Sequence, residues 1–383
     1  MDLMHRFVRA AVARGAQSLH IKAGDVFRAR IHGELVALSE SPFSREDTRR
    51  ITLSLLPNET LRSRLDEIRD LDFAWEIEDL ARFRVNILQQ RGSFMVVMRV
   101  IPWRVPTFEE LNLPPVLADV ADMEQGMVLV TGATGVGKST TQAAIVGWVN
   151  RHRKKHIITL EDPIEYWHEN ELSTVTQREI GTDTESFRRG LRAALRQDPD
   201  IILIGEMRDL EAAEIALEAA ETGHLLISTL HAPTATGALK HLISLFPDQQ
   251  EEVVRTRVSD TLRAVISQRL VRTVDGKGSV PVIEILRVTP AVRDCILRGE
   301  TQHEIVSLME DGGQQYGMQT FDHHLMSLVE RGVVAYETAL AAASSPSDFE
   351  LHMKTLGKAG ADGSVAAASP NGAALGLGEV RRF

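Results

Sequence analysis

The stretch GMVLVTGATGVGKSTTQAAIVGWVNR, residues 126–151, constrains the fold of this chain more than any other. It opens on an apolar run that reads as a buried strand and closes on a run that reads as a helix. Between them Gly132, Ala133, Thr134, Gly135, Val136, Gly137, Lys138 and Ser139 fill every position of the phosphate-binding loop pattern, with Thr140 next in line. The glycines let backbone N–H groups turn inward around phosphate, and the helix N-terminus adds positive potential. Lys138 is expected to reach the β and γ phosphates of ATP, and the Ser139 hydroxyl to ligate Mg²⁺. A glycine-rich turn with no ligand is the bland alternative; the agreement of all fixed positions and both flanks argues against it.

A strand ending in such a loop needs neighbours, and the sequence after it supplies them. HIITLED, IILIGE and HLLISTL read as further strands, separated by the helical stretches TESFRRGLRAALRQ and LEAAEIALEAAETG. This alternation implies an α/β fold with a largely parallel sheet covered on both faces. A chain of 383 residues exceeds one ordinary domain of roughly 100–200 residues. Residues 1–103 read as a smaller α+β domain, with a helix through REDTRRITLSLL and strands at LDFAWEI, ARFRVNILQQ and GSFMVVMRVI. In RFRVNIL, Phe83, Val85 and Ile87 share one face, and Arg82, Arg84 and Asn86 the other. Proline-rich residues 104–114 are the expected linker, and 115–290 the domain holding the phosphate loop. Past LISLFP the chain is expected to be mostly helical, with a helical subdomain over 291–354. Within it GMQTFDHHLMSLVERG starts at a Thr320 cap and stops at Gly332. The Gly/Ala/Ser-rich residues 355–383 are expected to be disordered.

DIILIGEMRD puts Gly205-Glu206 where an ATPase of this kind often ends the strand with an Asp that holds Mg²⁺. A carboxylate at the C-terminal edge of a parallel strand lies where nucleotides bind, so Glu206 can act as base or as orienter for an attacking water. Metal contact must then come from elsewhere. TLEDPIEY offers Glu161, Asp162 and Glu165; a solvated, proline-bounded turn is the other reading of these acids. TLHA brings His231 to the same edge, where a satisfied structural histidine is the competing reading.

Composition narrows the class. With 43% hydrophobic and 25% charged residues the chain is a globular protein, and its net charge of −10 offers nucleic acid no global attraction. The single Cys295 excludes an intramolecular disulfide framework and a paired-cysteine zinc site, and fits a reducing cytosol. Arg6, Arg9 and Arg14 interrupt the N-terminal apolar run, and no stretch approaches the roughly 18 uncharged apolar residues of a membrane span. A cytoplasmic protein is expected.

The phosphate loop, ITLEDPIEY, LRAALRQDPDIILIGEMRDLEAAEIALEAAETGHLLISTLHAPTA and GMQTFDHHL together resemble the secretion-ATPase superfamily. Within it they are similar to the type IV pilus retraction ATPases of the PilT and PilU kinds, from about Ala16 to Lys354. The resemblance implies a PAS-like N-terminal domain, a RecA-like ATPase domain and a homohexamer that drives pilus retraction from the cytoplasmic side of the inner membrane, on a platform protein there. It implies that Glu206 is the catalytic glutamate, that LEDPIEY helps place Mg²⁺ and water, and that His224 and His231 sense the γ-phosphate. It also implies that Arg82, Arg84 and Arg99 reach the nucleotide from the N-terminal domain. A planar guanidinium fork can neutralise charge in phosphoryl transfer, and an exposed polar strand face is the alternative.

Two features depart from the PilT kind. AVRDCILRGE, 291–300, sets Leu297, Arg298 and Glu300 where that pattern has Arg, Glu and Lys, and GMQTFD and SSPSDFELHMK look like the PilU kind. The leading expectation is a retraction motor; the alternative is an accessory motor working beside a second retraction ATPase. The acidic balance and the missing basic stripe oppose a nucleic-acid translocase, so no nucleic-acid partner is expected. Glu206 opposes a regulatory module without turnover.

Overall fold

The computed structural model describes residues 3–31, 33–77, 80–101, 104–276, 278–299 and 302–355. The tail expected to be disordered lies, beyond Thr355, outside the described residues, as do Trp103 and Glu300.

Alternation builds the N-terminal sheet. β1 (Ala16–Lys22), β2 (Arg28–Ile31), β3 (Glu34–Ala37), β4 (Asp70–Ile77), β5 (Ala81–Gln90) and β6 (Ser93–Ile101) pair antiparallel in the order β3-β2-β1-β6-β5-β4. Phe83, Val85 and Ile87 are fully buried, and the helices Leu3–Ala13 and Arg45–Leu55 share the core with them. The second helix begins at a capping box. The Ser44 hydroxyl accepts the Asp47 N–H, and the Asp47 carboxylate accepts the Ser44 N–H. The other face of the sheet stays polar, and the register sets Arg84 across from Arg99.

The second sheet is RecA-like. β7 (Gly126–Thr131), β8 (His156–Glu161), β9 (Thr174–Glu179), β10 (Ile201–Ile204), β11 (Leu225–Leu230), β12 (Leu262–Arg272) and β13 (Ser279–Arg287) run in the order β13-β12-β7-β11-β10-β8-β9. All neighbours are parallel except β13. Every residue of β7, β10 and β11 is buried, as strands covered on both faces must be. Alternate residues serve two cores. Val128 and Val130 face the cluster that holds Ile145 and Val149 of the helix Lys138–His152, while Met127 and Leu129 face the one that holds Ile215 and Leu217.

Past LISLFP the chain is mostly helical, as expected, but β12 and β13 interrupt the helices as a long antiparallel hairpin that was not expected. A short continuous apolar run does not separate a buried strand from a buried helix by period, and the β-branched residues of RAVISQRLV and VPVIEIL carry the strand. The outer end of the hairpin is covered by the C-terminal helices: Val271, Val280 and Val282 pack with Phe321, Leu328, Phe349 and Met353. The helix Phe321–Glu330 starts where expected, with the Thr320 hydroxyl accepting the His323 N–H at 3.3 Å, and Gly332 ends it at φ 70°. The two adjacent histidines part company: His324 is buried and its Nδ1 accepts the Ile283 N–H at 2.8 Å, while His323 stays half-exposed.

Glu284 is the one acid of β13 and is buried, its Oε1 accepting the N–H of Ala235 at the start of the helix Ala235–Ser244 at 2.6 Å. Burial pushes its carboxyl up to about 7, against the Ala235 hydrogen bond and Arg269. A raised folded value gives a contribution that is full below the ordinary Glu range and lost as pH rises through about 7. Between pH 5 and pH 8 the wild type should therefore lose on the order of 2 kcal/mol of unfolding free energy through this group. Glu284→Gln should abolish that share of the slope in denaturant unfolding followed against pH. Identical slopes in the two proteins would refute the assignment.

Candidate active site

The C-terminal ends of β7, β8, β10 and β11 open into one cleft of about 780 Å³, as the edge of an α/β sheet is built to do. The phosphate loop closes its floor. Gly132 has φ +144°, and a Cβ there would stand 2.5 Å from the Gln268 carbonyl oxygen, so only glycine lets the loop pass β12. Gly137, at φ +92°, precedes the helix Lys138–His152, and no side chain caps that helix N-terminus. Its first N–H groups therefore remain available to an anion. Lys138 Nζ donates to the carbonyls of Gly132 and Ala133 at 3.0 and 2.9 Å. Burial lowers its pKa and the Glu206 carboxylate opposes the shift.

Gln268 holds this loop from below and was invisible to the sequence reading. Its Nε2 donates to the Val136 carbonyl at 2.6 Å, and its Oε1 accepts the Thr141 hydroxyl at 2.8 Å. Next to it, the hydroxyls of Ser267 and Thr131 pair at 2.7 Å. A polar Ser-Gln pair inside an apolar run was the available signal.

Glu206, just past the end of β10, is paired with Arg208 and has His231 beside it. Arg208 donates from Nε at 2.8 Å and Nη2 at 2.9 Å, and His231 Nε2 lies 3.4 Å away. The hydrogen-bonded Arg208 guanidinium holds the Glu206 carboxyl below its usual range, against partial burial. Ionised at neutral pH, it can orient or deprotonate a water. Thr229 Oγ1 donates to the Gly205 carbonyl at 2.8 Å and pins the strand end. A Cβ on Gly205 would lie 3.4 Å from the Leu160 carbonyl and 3.6 Å from Glu161 Cα. The room an Asp side chain would take at that position is thus bordered by Glu161 of the neighbouring strand.

Glu161 lives in the opposite environment. Its Oε1 accepts from Thr159 Oγ1 at 2.7 Å and Gln177 Nε2 at 3.2 Å, and its Oε2 from the Glu165 N–H at 3.4 Å. Burial still raises its pKa above the ordinary value. Asp162 and Glu165 line the same cleft, and the Tyr166 hydroxyl, 2.9 Å from Thr140 Oγ1, ties this acidic segment to the loop helix. Ser139, Asp162 and Glu165 are hard oxygen donors, and no group of three or more His, Cys, Asp or Glu among the described residues forms a metal cage. That donor set fits Mg²⁺, which binds through one or two carboxylates together with phosphate and water.

The N-terminal sheet forms the far wall. Arg84 and Arg99 line the cleft, with Arg84 Nε 3.7 Å from Asp72. Arg82, expected beside them, is instead drawn to Glu179 at 3.5 Å. His224, expected near the γ-phosphate with His231, stands at the opposite edge of the sheet. Its carbonyl accepts the Gly126 N–H, and its Nδ1 lies 3.0 Å from the Ala219 carbonyl. The strand β11 separates the two histidines by roughly 23 Å at ~3.3 Å per residue, so within one chain they cannot share a phosphate. Of the expected residues, the cleft therefore unites the phosphate loop, Glu161, Asp162, Glu165, Glu206, His231, Arg84 and Arg99.

Gln268→Ala should leave the Val136 carbonyl and the Thr141 hydroxyl without this partner, at a cost of about 1–3 kcal/mol, and so loosen the loop. ADP affinity measured by calorimetry should fall about tenfold. Unchanged affinity would show that the loop holds its shape without the clamp.

Comparison with known proteins bears on this site. The type II/IV secretion system protein family matches residues 1–339. The chain is 42% identical over 357 residues to the type IV pilus ATPase PilU of Pseudomonas aeruginosa, covering 93% of each chain. It is 40% identical over 336 residues to the pilus retraction ATPase PilT of the same organism, covering 88% of this chain and 96% of that one. A crystal structure of the pilus retraction motor PilT with bound ADP superposes with a TM-score of 0.83 at 39% identity, over 91% of this chain and 98% of that one. The loop, the ionised glutamate beside it and these likenesses, which span both sheets, agree: the chain belongs to the type II/IV secretion system family and is one of its ATPases.

Proposed function

We propose that this ATPase is a motor for type IV pilus retraction, working as a homohexameric ring on the cytoplasmic side of the inner membrane against a platform protein there. The observation that carries this reading is the likeness to PilU and PilT across nearly the whole chain, N-terminal domain included, and not in the ATPase domain alone. Among the described residues no helix is long and apolar enough to cross a membrane.

In this reading the loop N–H groups and Lys138 bind the ATP phosphates. Ser139, Asp162 and Glu165 would hold Mg²⁺, which when bound neutralises charge on the β and γ oxygens. Glu206 orients the attacking water and takes its proton, with His231 beside it. Arg84 and Arg99 meet charge that develops on the phosphoryl oxygens, so hydrolysis depends on where the N-terminal sheet stands. Lys138 contacts phosphate in the ground state, whereas Glu206 acts only on the water. Lys138→Ala should therefore abolish ATP binding. Glu206→Gln should keep binding and lose turnover by roughly 10²–10⁴-fold. A Glu206→Gln protein with near wild-type turnover would remove the catalytic assignment.

A strain lacking the protein should accumulate surface pili and lose twitching, and the wild-type gene but not Glu206→Gln should restore it. Normal retraction in the deletion strain with no other retraction ATPase present would refute the motor reading.

An accessory motor, dependent on a second retraction ATPase, is favoured by one observation. The helix Pro290–Arg298 ends in an exposed Leu297 and in Arg298, where the PilT pattern has Arg and Glu. Altered charge on a contact surface changes which partner is accepted. In that case the protein should hydrolyse ATP normally yet retract pili poorly on its own. Full retraction in a strain deleted for every other retraction ATPase would exclude the accessory reading.

A further inference from the structure

Arg82 lies on β5 two residues before Arg84, on the same face of the N-terminal sheet, yet it turns to a different partner. Its Nη2 is 3.5 Å from Glu179 Oε2, and its guanidinium sits 5.3 Å from the centroid of the Trp167 ring. The two side chains are 15% and 5% exposed, so the pair is largely withdrawn from water. Removing one member of such a pair leaves an uncompensated buried charge, which is strongly unfavourable.

Glu179, the last residue of β9, is shared. The same Oε2 accepts the Ile164 N–H at 3.2 Å, and Oε1 lies 3.4 Å from the Thr182 hydroxyl. Ile164 stands between Asp162 and Glu165, and the next N–H along the chain, that of Glu165, is given to Glu161. One carboxylate thus joins the N-terminal sheet to the backbone of the acidic segment. Arg82 Nε is buried and has no hydrogen-bond partner among the described residues, so the guanidinium is held without being saturated. A contact of that kind can release when the sheet moves.

We propose that Arg82 and Glu179 form an intrachain latch, in which Arg82 acts as a positioning residue on its own subunit's acidic segment and not as an arginine that touches phosphate. The proposal rests on the nucleotide-site reading above. When the N-terminal sheet sits on the latch, Glu179 is neutralised and keeps the Ile164 N–H, so Asp162 and Glu165 face the loop. When the sheet lifts, Glu179 loses its guanidinium partner and its hold on the Ile164 N–H weakens. Placement of the carboxylates and placement of the domain become one equilibrium, biased by whatever binds in the cleft.

The test uses the full-length assembled protein. Arg82→Ala and Glu179→Gln should each lower kcat about tenfold while ADP affinity stays within about twofold, because neither side chain touches the nucleotide. The double variant should be no worse than either single, as expected of groups acting through one contact. Spin-label distances between the N-terminal sheet and the ATPase domain should broaden in all three variants. Mixtures of Arg82→Ala with Lys138→Ala subunits should stay at the activity of the single variants, since no subunit then combines an intact loop with an intact latch. Recovered activity in those mixtures, losses that multiply in the double variant, or an ADP affinity that falls as far as in Arg84→Ala would each overturn the latch. Unimpaired ADP binding by Lys138→Ala would instead bring down the nucleotide-site reading, and the spin-label distances would still report on the latch directly.

Discussion

The passage of the phosphate loop over β12 is the constraint on which the rest of the molecule depends. The loop leaves β7 so close to its neighbour that even one carbon on Gly132 would collide with the Gln268 backbone. That closeness lets the Gln268 side chain grip the loop at Val136 and the following helix at Thr141. A loop that presents backbone N–H groups to phosphate has few side-chain contacts of its own to hold its shape. Its rigidity comes from the strand beneath, and β12 is in turn kept in place by β13 and the C-terminal helices. Residues far from the cleft therefore support its floor.

Around that floor the fold keeps two glutamates in opposite environments. Arg208 holds Glu206 ionised, while burial raises Glu161 against its own hydrogen bonds. Separating the pKa values of neighbouring acids is a general way of giving similar groups different roles. The glycine at 205 is part of the same arrangement, because the space beside it borders Glu161 and not a side chain of β10 itself.

The N-terminal sheet adds the far wall of the cleft. Its buried face is an ordinary alternating core, and its polar face sends neighbouring arginines to different destinations: Arg84 and Arg99 to the cleft, Arg82 to Glu179. Guanidinium groups suit both tasks, since one planar fork can bind phosphate, a carboxylate or an aromatic face. The division of labour among them follows from which surface of the ATPase domain each one meets.

Local chemistry was legible in the chain alone. The loop, its flanking strand and helix, the Glu206 strand end, the alternation of Phe83, Val85 and Ile87, and the Thr320 cap each follow from a short pattern, and a short pattern is enough when the governing interaction spans a few residues. What the sequence could not decide was set by contacts between distant segments. RAVISQRLV became a strand because β7 and β13 pair with it, and Gln268 became a clamp only through that pairing. His224 and His231 belong to one short motif, yet a fully extended strand puts them on opposite edges of the sheet. Arg82 and Arg84 are alike in sequence, and their partners at 179 and in the cleft are chosen by how the two domains meet. The sequence determined the chemistry available at each strand end; the tertiary structure decided which of those groups meet, because pairing and burial act across the chain and leave no local period to read.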